Sequence, residues 1–538
     1  MTAIMRLIQR NNRCWTRWAP LFVLLFSVGA HAGHESDPFT PGLRWSRDSG
    51  GTSPWIPGRV QFADADQLVW ASSGALGAHV ETYSAWGSGA QEPLCGGEEP
   101  AQGALVWDLA SSSQAAALFA LIYTPGAGNA PNAVHLVRYA APSVSFGGSQ
   151  EPLWSVSSPA VPTGAARIAC DAQGERVCFA AWDSQIKRTY VRWHLADEGA
   201  IVAATEITAG DIDHLVMSAD GALTLAAAAE RVWVWDSNGV LIHYEVLESP
   251  VRVADFDATG DHLLLAQGNR ARLLTRVAGG FLEIERVEAA PVELAACGAM
   301  SESGEGWAMA WYNTADGSAR YELYAGLSET LVAEHSQTTT TMGLQNVPQA
   351  ASITPDGERV AFATWGGESA HEVILLGATE GGVLWSIDLP GSATDVTLDR
   401  SGRRIAVAHK SAHANQSASS GEVRLYDTAE ADLALTEAPR PGGVLAAECL
   451  VPGANIAFFL FGEGVKAPVD LPFVDGELWV SLHSRLVVRA RRPDKSGRAR
   501  CELALPAGLG EVEVAVQAVA RIGGGLTVSE THLGVRPR

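Results

Sequence analysis

A tight turn between two apolar strands recurs along this chain of 538 residues. Its clearest copy spans residues 351–365, where Pro355-Asp356-Gly357 separates two runs of small and apolar residues. Aspartate tolerates the dihedral angles of such turns, and glycine accepts φ > 0 without steric cost. The short flanking runs predict strands rather than helices. The other turns contain Gly174, Gly221, Gly260, Gly304 and Gly402, with degenerate copies near Asp66 and Ser111.

The spacing of these turns predicts the architecture. Successive turn glycines from Gly174 to Gly402 lie 39 to 53 residues apart. A repeat of about 40 to 50 residues that holds four short strands is typical of a β-propeller blade. Segments such as Arg231–Asp236 supply the later strands of each repeat, and no amphipathic helix interrupts them. We therefore expect an all-β chain in which residues 59–438 form a propeller of seven or eight blades.

The repeats resemble those of the WD40 and YVTN group of β-propellers, here of the exported bacterial type. In that group a P-D-G or D-x-x-G turn precedes a V-A-x-A strand, as at Val360–Ala363. A later strand ends in Trp-Asp or Tyr-Asp, as at Trp235-Asp236 and Tyr426-Asp427. The resemblance implies blades around a central channel and loop-built faces that bind partners.

The chain changes character after a linker rich in proline and glycine at residues 438–443. Residues 439–538 contain short alternating segments such as Glu477–Leu482 and Glu511–Gln517. This pattern predicts a small antiparallel β-sandwich.

The first 32 residues have the pattern of a secretory signal peptide. Four arginines precede an apolar run at residues 19–30, and Ala30-His31-Ala32 is a small-x-small cleavage site. The run is shorter than the ~20 residues that a membrane-spanning helix needs, and no second such run follows. We expect a secreted, periplasmic or surface-attached protein with no transmembrane segment after cleavage, and an irregular lead-in over residues 33–58.

Charge and cysteine content agree with export. The chain carries a formal charge of −22 at pH 7, and the predicted propeller holds all of the acidic excess, because the signal peptide and the C-terminal region are net basic. An acidic propeller argues against nucleic acid as a partner, because phosphate binding requires clustered positive charge. In an oxidising compartment two disulfides are plausible, Cys170–Cys178 across one turn and Cys449–Cys501 within the C-terminal region.

One basic cluster stands against this acidic background. Arg489, Arg491, Arg498 and Arg500 lie on either side of a turn at residues 495–497, and a hairpin there would place alternate members on one face. We interpret the four arginines as a candidate contact for an anionic partner, either an envelope polymer or the acidic propeller of the same chain. The alternative is a solvated strand edge that its charges protect from pairing.

No residue set predicts catalysis, a cofactor or a metal. Asp255 begins half of a calcium-loop pattern, but Ala266 stands where its bidentate glutamate belongs. His409 and His413 are four residues apart in what the sequence predicts to be a solvated polar loop. We therefore expect a noncatalytic binding or scaffolding protein whose partner is a protein or an envelope polymer. A propeller-class enzyme, such as a lactonase or quinoprotein dehydrogenase, is the alternative.

We expect the exported chain to begin at Gly33. Small residues at positions 30 and 32 fit the signal-peptidase pattern, so Ala32→Arg should block processing. N-terminal sequencing of exported material tests this directly. An exported chain that still begins at Met1 would contradict the assignment.

Overall fold

The computed structural model describes most residues between Leu43 and Val535, unbroken over residues 185–338 and 371–413. The predicted signal peptide and residues 33–42 of the lead-in lie outside the described residues. All the regular secondary structure of the described part is β-strand, and no helix there could span a membrane. The gaps of three or more residues are 49–55, 74–77, 86–88, 91–94, 100–103, 127–131, 141–147, 159–165, 339–344, 367–370, 414–419, 429–432, 438–443, 451–455, 471–473, 481–485, 494–497 and 506–513.

The chain divides into two compact units. The first comprises the described residues of 48–85 and 93–423, and the second comprises the described residues of 43–47, 86–92 and 424–535. Within the first unit the described strands form eight sheets, numbered here in chain order. Each of sheets 2 to 7 contains four antiparallel strands in sequence order, which is the blade organisation that the repeats predict.

The strands of the eight sheets have the following bounds. Sheet 1 contains Pro57–Ala63, Leu68–Ser73, Ala78–Ser84, Cys95–Glu99 and Gly148–Ser149, and sheet 2 contains Leu105–Ser111, Ala117–Thr124, Ala133–Ala140 and Trp154–Ser157. Sheet 3 contains Arg167–Cys170, Arg176–Asp183, Arg188–Leu195 and Ile201–Ile207, and sheet 4 contains His214–Met217, Leu223–Ala228, Arg231–Asp236 and Leu241–Val246. Sheet 5 contains Val251–Phe256, His262–Gln267, Arg270–Val277 and Gly280–Glu288, and sheet 6 contains Glu293–Met300, Gly306–Asn313, Ala319–Ala325 and Thr330–Gln337. Sheet 7 contains Val347–Ile353, Arg359–Trp365, Val373–Gly377 and Gly382–Ile387. Sheet 8 contains Ala393–Leu398, Arg404–Lys410 and Gly421–Asp427, the last of which crosses the unit boundary.

The first strands of the sheets follow one another in a closed order. Each contacts the first strands of the preceding and following sheets, and the first strand of sheet 8 contacts that of sheet 1. At this closure the Val60 N–H donates to the Asp395 carboxylate at 3.0 Å, and the Thr394 hydroxyl donates to the Pro57 carbonyl at 2.9 Å. Antiparallel sheets arranged in this way around a common axis form a β-propeller. The predicted all-β propeller is therefore confirmed.

Apolar cores lie between neighbouring sheets. Phe119 of sheet 2 and Phe179 of sheet 3 belong to one core, and both are fully buried. Trp193 of sheet 3 meets Trp235 of sheet 4 edge to face, with ring centroids 5.6 Å apart. The strand Leu223–Ala228 is buried along its whole length, because both faces of its sheet pack on a neighbour. A run of small and apolar residues is the sequence that such a strand requires.

The repeated turns also join neighbouring sheets through backbone hydrogen bonds. The Ala172 N–H donates to the Ala219 carbonyl, Ala219 to Ala258, and Ala258 to Glu302, all at 2.8–2.9 Å. Pro355 holds the corresponding position in sheet 7. It accepts a bond from sheet 6 but has no N–H to donate to sheet 8.

The turn glycines meet the neighbouring sheet at close range. Gly357 has a φ of 77°, a conformation that favours glycine. A Cβ on Gly357 would also lie 2.7 Å from the Cα of Gly306 in sheet 6. Glycine is therefore required at this turn both for its backbone conformation and for the space it leaves.

The outermost strand pairs of sheets 3 to 7 share one irregularity. Each pair contains a register shift typical of a β-bulge, and a bulge increases local twist. Because the outer strand has a free edge, this twist protects it from pairing with another chain. The shifts lie at Trp193/His194, Val234/Trp235, Leu273/Leu274, Leu323/Tyr324 and Leu375/Leu376.

The second unit contains two larger sheets that share one apolar core. Buried Leu445 and Ala447 come from the three-stranded sheet, and Phe459, Phe461 and Val516 come from the five-stranded sheet. The three-stranded sheet contains Leu433–Glu437, Val444–Leu450 and Arg498–Ala504, and the five-stranded sheet contains Val474–Asp475, Gly525–Val535, Val514–Ile522, Ile456–Gly462 and Val487–Arg491. Two further pairs of strands belong to the unit, the parallel pair Leu43–Asp48 and Gly89–Ala90 and the antiparallel pair Gly464–Asp470 and Glu477–Val480.

The strand register does not support the predicted Cys170–Cys178 bridge. Cys178 lies opposite Ala169, so the side chains of Cys170 and Cys178 point to opposite faces of sheet 3. Both are free thiols. Flanking one turn brings two cysteines close in the backbone, but the alternation of the strand decides whether their sulfurs can meet.

The second predicted bridge has a different geometry. Cys449 lies opposite Ala499 and Cys501 opposite Ala447, so the two cysteines are diagonal neighbours on one face of adjacent strands. Both side chains are buried in the core of the second unit. A Cys449–Cys501 disulfide stays a prediction.

Close packing at the turns gives a stability prediction. Gly306 does not have a positive φ, so Gly306→Ala tests space alone, and overlap with Gly357 should cost about 1 to 3 kcal/mol of unfolding free energy. Gly382→Ala is the matched control, because Gly382 is also a strand glycine and a Cβ there meets nothing within 4 Å. Chemical denaturation of both variants measures the difference. Equal stabilities would contradict the close contact between sheets 6 and 7.

Candidate functional site

The first strands of the propeller enclose a polar cavity of about 340 Å³. Six of the eight sheets contribute residues to its lining, so residues far apart in sequence meet there. The ionisable members of the lining are Arg59, Asp108, Arg167, Asp213, His214 and Asp395.

Acidic side chains near the channel hold neighbouring sheets together. Each accepts a hydrogen bond from a backbone N–H on the first strand of the next sheet. These bonds compensate in part for removing a carboxylate from water. The three pairs are Ile168 N–H to Asp108 at 3.2 Å, Met300 N–H to Asp255 at 2.9 Å and Val60 N–H to Asp395 at 3.0 Å.

Burial changes the acidity of two of these carboxyl groups. It raises the pKa of Asp255 to about 6, although two backbone N–H groups act in the opposite direction. It also raises the pKa of Asp395 to about 6, against the lowering effect of Arg59. Both groups therefore lose part of their charge in mildly acidic solution.

The arginines of the channel differ in their partners. Arg59 forms an ion pair with Asp108 at 3.2 Å, and this carboxylate raises the pKa of Arg59. The Arg167 guanidinium donates to the carbonyl oxygens of Asp213 and Ala166, at 3.1 and 3.2 Å, and burial lowers the pKa of Arg167. Its charge has no direct carboxylate partner among the described residues.

Arg252 is half-buried on the first strand of sheet 5. Its guanidinium forms no ion pair or hydrogen bond with the described part of the chain. Between Arg167 and Arg252 along the ring lies His214, whose pKa is lowered to about 4 by burial and by the positive charges of Arg167, Arg252 and Arg59. His214 is therefore neutral at physiological pH.

This arrangement can bind an anion. Arg167 lines the polar cavity and Arg252 acts on His214, and neither has a direct carboxylate partner among the described residues. The neutral imidazole of His214 between them can donate or accept a hydrogen bond. Guanidinium groups bind carboxylates and phosphates through paired hydrogen bonds. The set therefore has the chemistry to recognise a carboxylate or a phosphate.

The predicted arginine contact is divided between two sheets. Arg489 and Arg491 are exposed on Val487–Arg491, the edge strand of the five-stranded sheet. Arg498 and Arg500 belong to a strand of the three-stranded sheet, so the predicted hairpin was wrong. Its turn at residues 495–497 lies outside the described residues.

These positions bear on the two interpretations of the cluster. Arg500 forms an ion pair with Glu502 at 3.3 Å, and the placement of Arg489 and Arg491 fits a charged strand edge. The anionic-partner contact stays a prediction.

The weaker metal candidates also have structural explanations. Asp255 accepts backbone hydrogen bonds, while Asp257 accepts from the Asp261 N–H and contacts the His262 ring at 2.7 Å. His409 is fully buried at the end of a strand, so the polar-loop prediction was wrong for it. Within the described residues no group of three or more His, Cys, Asp or Glu side chains could hold a metal ion.

Sequence reasoning did not find the channel residues. Asp108, Arg167 and His214 each stand four positions before the first residue of a repeated turn. Aligning the repeats on their turns reveals this shared position. A charged or imidazole side chain there, in place of the usual small or apolar residue, was the available signal.

Comparison with known proteins gives a likeness of fold. No protein family matches the sequence, and no curated protein matches it. Among solved structures the chain is similar to the C-terminal WD40 domain of Sif2, with 12% sequence identity and a TM-score of 0.49. The match covers 71% of this chain and 98% of that domain. The propeller assignment rests on the sheet order and not on this match.

The raised pKa of Asp395 gives a pH-dependent prediction. Because the native carboxyl titrates near pH 6 and its ordinary pKa is 3.8, the native state binds this proton more tightly than the unfolded state. The resulting stability is fully present below pH 3.8 and is lost as pH rises through 6. Asp395→Asn should therefore cost more stability at pH 4 than at pH 7, by on the order of 2 kcal/mol.

Denaturation curves of the wild type and the variant between pH 4 and 8 measure this difference. Asp261→Asn, at an exposed aspartate, serves as the control. A stability difference between the wild type and Asp395→Asn that does not change with pH would contradict the assigned shift.

Proposed function

We propose that the protein is an exported, noncatalytic β-propeller that binds a carboxylate of a partner protein in its central channel. The observation that carries the proposal is the pair Arg167 and Arg252, two cationic side chains near the cavity without a carboxylate partner in the described chain. Surface arginines without partners are common, but these two are at least partly buried. A ligand carboxylate would supply the missing counter-charge.

The proposal includes the organisation of the chain. The eight sheets in closed order support a propeller of eight blades, and the shared core of the two larger sheets supports a β-sandwich over residues 439–538. A signal peptide over residues 1–32 would deliver the protein outside the cytoplasm.

Size and charge restrict the ligand group. A cavity of about 340 Å³ holds only a few side-chain-sized groups. The chain carries a formal charge of −22, so an extended acidic segment would be repelled by the rest of the propeller. A single carboxylate, from a chain terminus or from one Asp or Glu side chain, satisfies both restrictions.

Arg252 also has the energetic character of a binding residue. Its positive charge opposes protonation of His214 and adds to that of Arg167, so it does not stabilise its own surroundings through an ion pair. Residues kept for binding commonly cost some stability in the free protein.

The enzymatic alternative would require carboxylates or histidines that converge on a reacting atom. The described channel carboxylates Asp108 and Asp395 instead accept backbone hydrogen bonds that join sheets. This use favours the binding function.

A variant of Arg252 tests the proposal. Succinate, added at constant ionic strength, should raise the thermal midpoint of the wild type, and Arg252→Gln should remove most of that response. The variant alone should be as stable as the wild type or slightly more stable, because a like charge is gone. Differential scanning calorimetry measures both quantities.

Arg286→Gln makes the same change of net charge at an exposed outer strand and serves as the control. It should keep the full response to succinate. No response in the wild type, or equal responses in the wild type and Arg252→Gln, would overturn the proposed channel site.

A further inference from the structure

A second buried polar cluster lies where sheets 7 and 8 adjoin. Glu372 immediately precedes the third strand of sheet 7, and His413 follows the second strand of sheet 8. Asn346 immediately precedes the first strand of sheet 7. None of these residues lines the channel cavity.

The Glu372 carboxyl is only half satisfied. The residue is fully buried, and its Oε2 accepts a hydrogen bond from the Leu389 N–H at 2.7 Å. Its Oε1 has no hydrogen-bond partner and lies 3.3 Å from the Nδ1 of His413. A buried acceptor without a donor is costly and calls for a ligand, a water or an ion.

The Oε1–Nδ1 separation has the length expected for two ligands of one metal ion. Zinc binds nitrogen and carboxylate oxygen at about 2.0 to 2.2 Å, which places two tetrahedral ligands about 3.4 Å apart. The observed 3.3 Å agrees with that distance, and Oε1 does not accept a hydrogen bond across it.

Asn346 supplies a third candidate ligand. It is fully buried, and neither its Oδ1 nor its Nδ2 has a hydrogen-bond partner. The next residue, Val347, pairs with Trp365, so Asn346 lies beside Gly366. Gly366 is also the residue against which the Glu372 carboxylate packs, closely enough that a Cβ there would overlap it. The amide and the carboxylate are therefore neighbours of one glycine.

We propose that Glu372, His413 and Asn346 bind a divalent transition-metal ion of the zinc class. A carboxylate oxygen, an imidazole nitrogen and an amide oxygen form a mixed donor set that suits zinc better than calcium or magnesium, which prefer oxygen ligands alone. The ion would connect sheet 7 to sheet 8. This is the junction at which Pro355 cannot donate the backbone hydrogen bond made by other turns.

Zinc titration of the purified, chelator-treated protein tests the site. Isothermal titration calorimetry should show one zinc per chain, and zinc should raise the thermal midpoint. Glu372→Gln and His413→Gln should each weaken zinc binding more than about tenfold. His371→Gln removes an exposed histidine next to the site and is the matched control, which should bind zinc as the wild type does.

Stability without zinc separates lost binding from lost folding. Glu372→Gln keeps the shape of the buried side chain, so the zinc-free variant should fold with a thermal midpoint close to that of the zinc-free wild type. A wild type that binds no zinc would overturn the proposal. So would zinc binding of wild-type strength in Glu372→Gln or His413→Gln, or loss of binding in His371→Gln alone.

Discussion

The propeller depends on hydrogen bonds that pass from the turn of one sheet to the turn of the next. At Ala172, Ala219 and Ala258 the backbone N–H donates to a carbonyl of the following turn, and at the ring closure the Arg400 N–H donates to the Asp66 carboxylate at 2.8 Å. These bonds require each turn to hold a fixed shape against its neighbour. The repeated turn is therefore a connection between blades as well as a connection between strands.

The same ring closure creates the channel site. It brings together first strands that carry acidic side chains, and Asp108 and Asp395 accept N–H groups of the next sheet. With these carboxylates engaged, neither Arg167 nor Arg252 has a direct carboxylate partner among the described residues. In the proposed function the acidic residues hold the ring and Arg59 pairs with Asp108, while Arg167 and Arg252 are available to a ligand.

The local sequence pattern predicted the fold. The disulfide, the position of His409 and the channel residues depend on contacts between distant parts of the chain, which that pattern does not show. Turn chemistry and repeat length act within one blade, so the sequence alone predicted the propeller. The prediction of a Cys170–Cys178 disulfide was wrong, because the strand register places the two cysteine side chains on opposite faces of sheet 3. His409 was assigned to a loop because polar residues follow it, although its strand extends to Lys410. The channel arginines come from different blades, and only ring closure brings them together.

Amide hydrogen exchange at the turns tests the central role of these hydrogen bonds most directly. A free β-turn exposes its amides to water, so they exchange quickly unless a tertiary contact protects them. The account predicts that the amides of Ala172, Ala219 and Ala258 exchange as slowly as those of the buried strand Leu223–Ala228. Exchange of the three turn amides at the rate of an unstructured peptide, with that strand still protected, would contradict it.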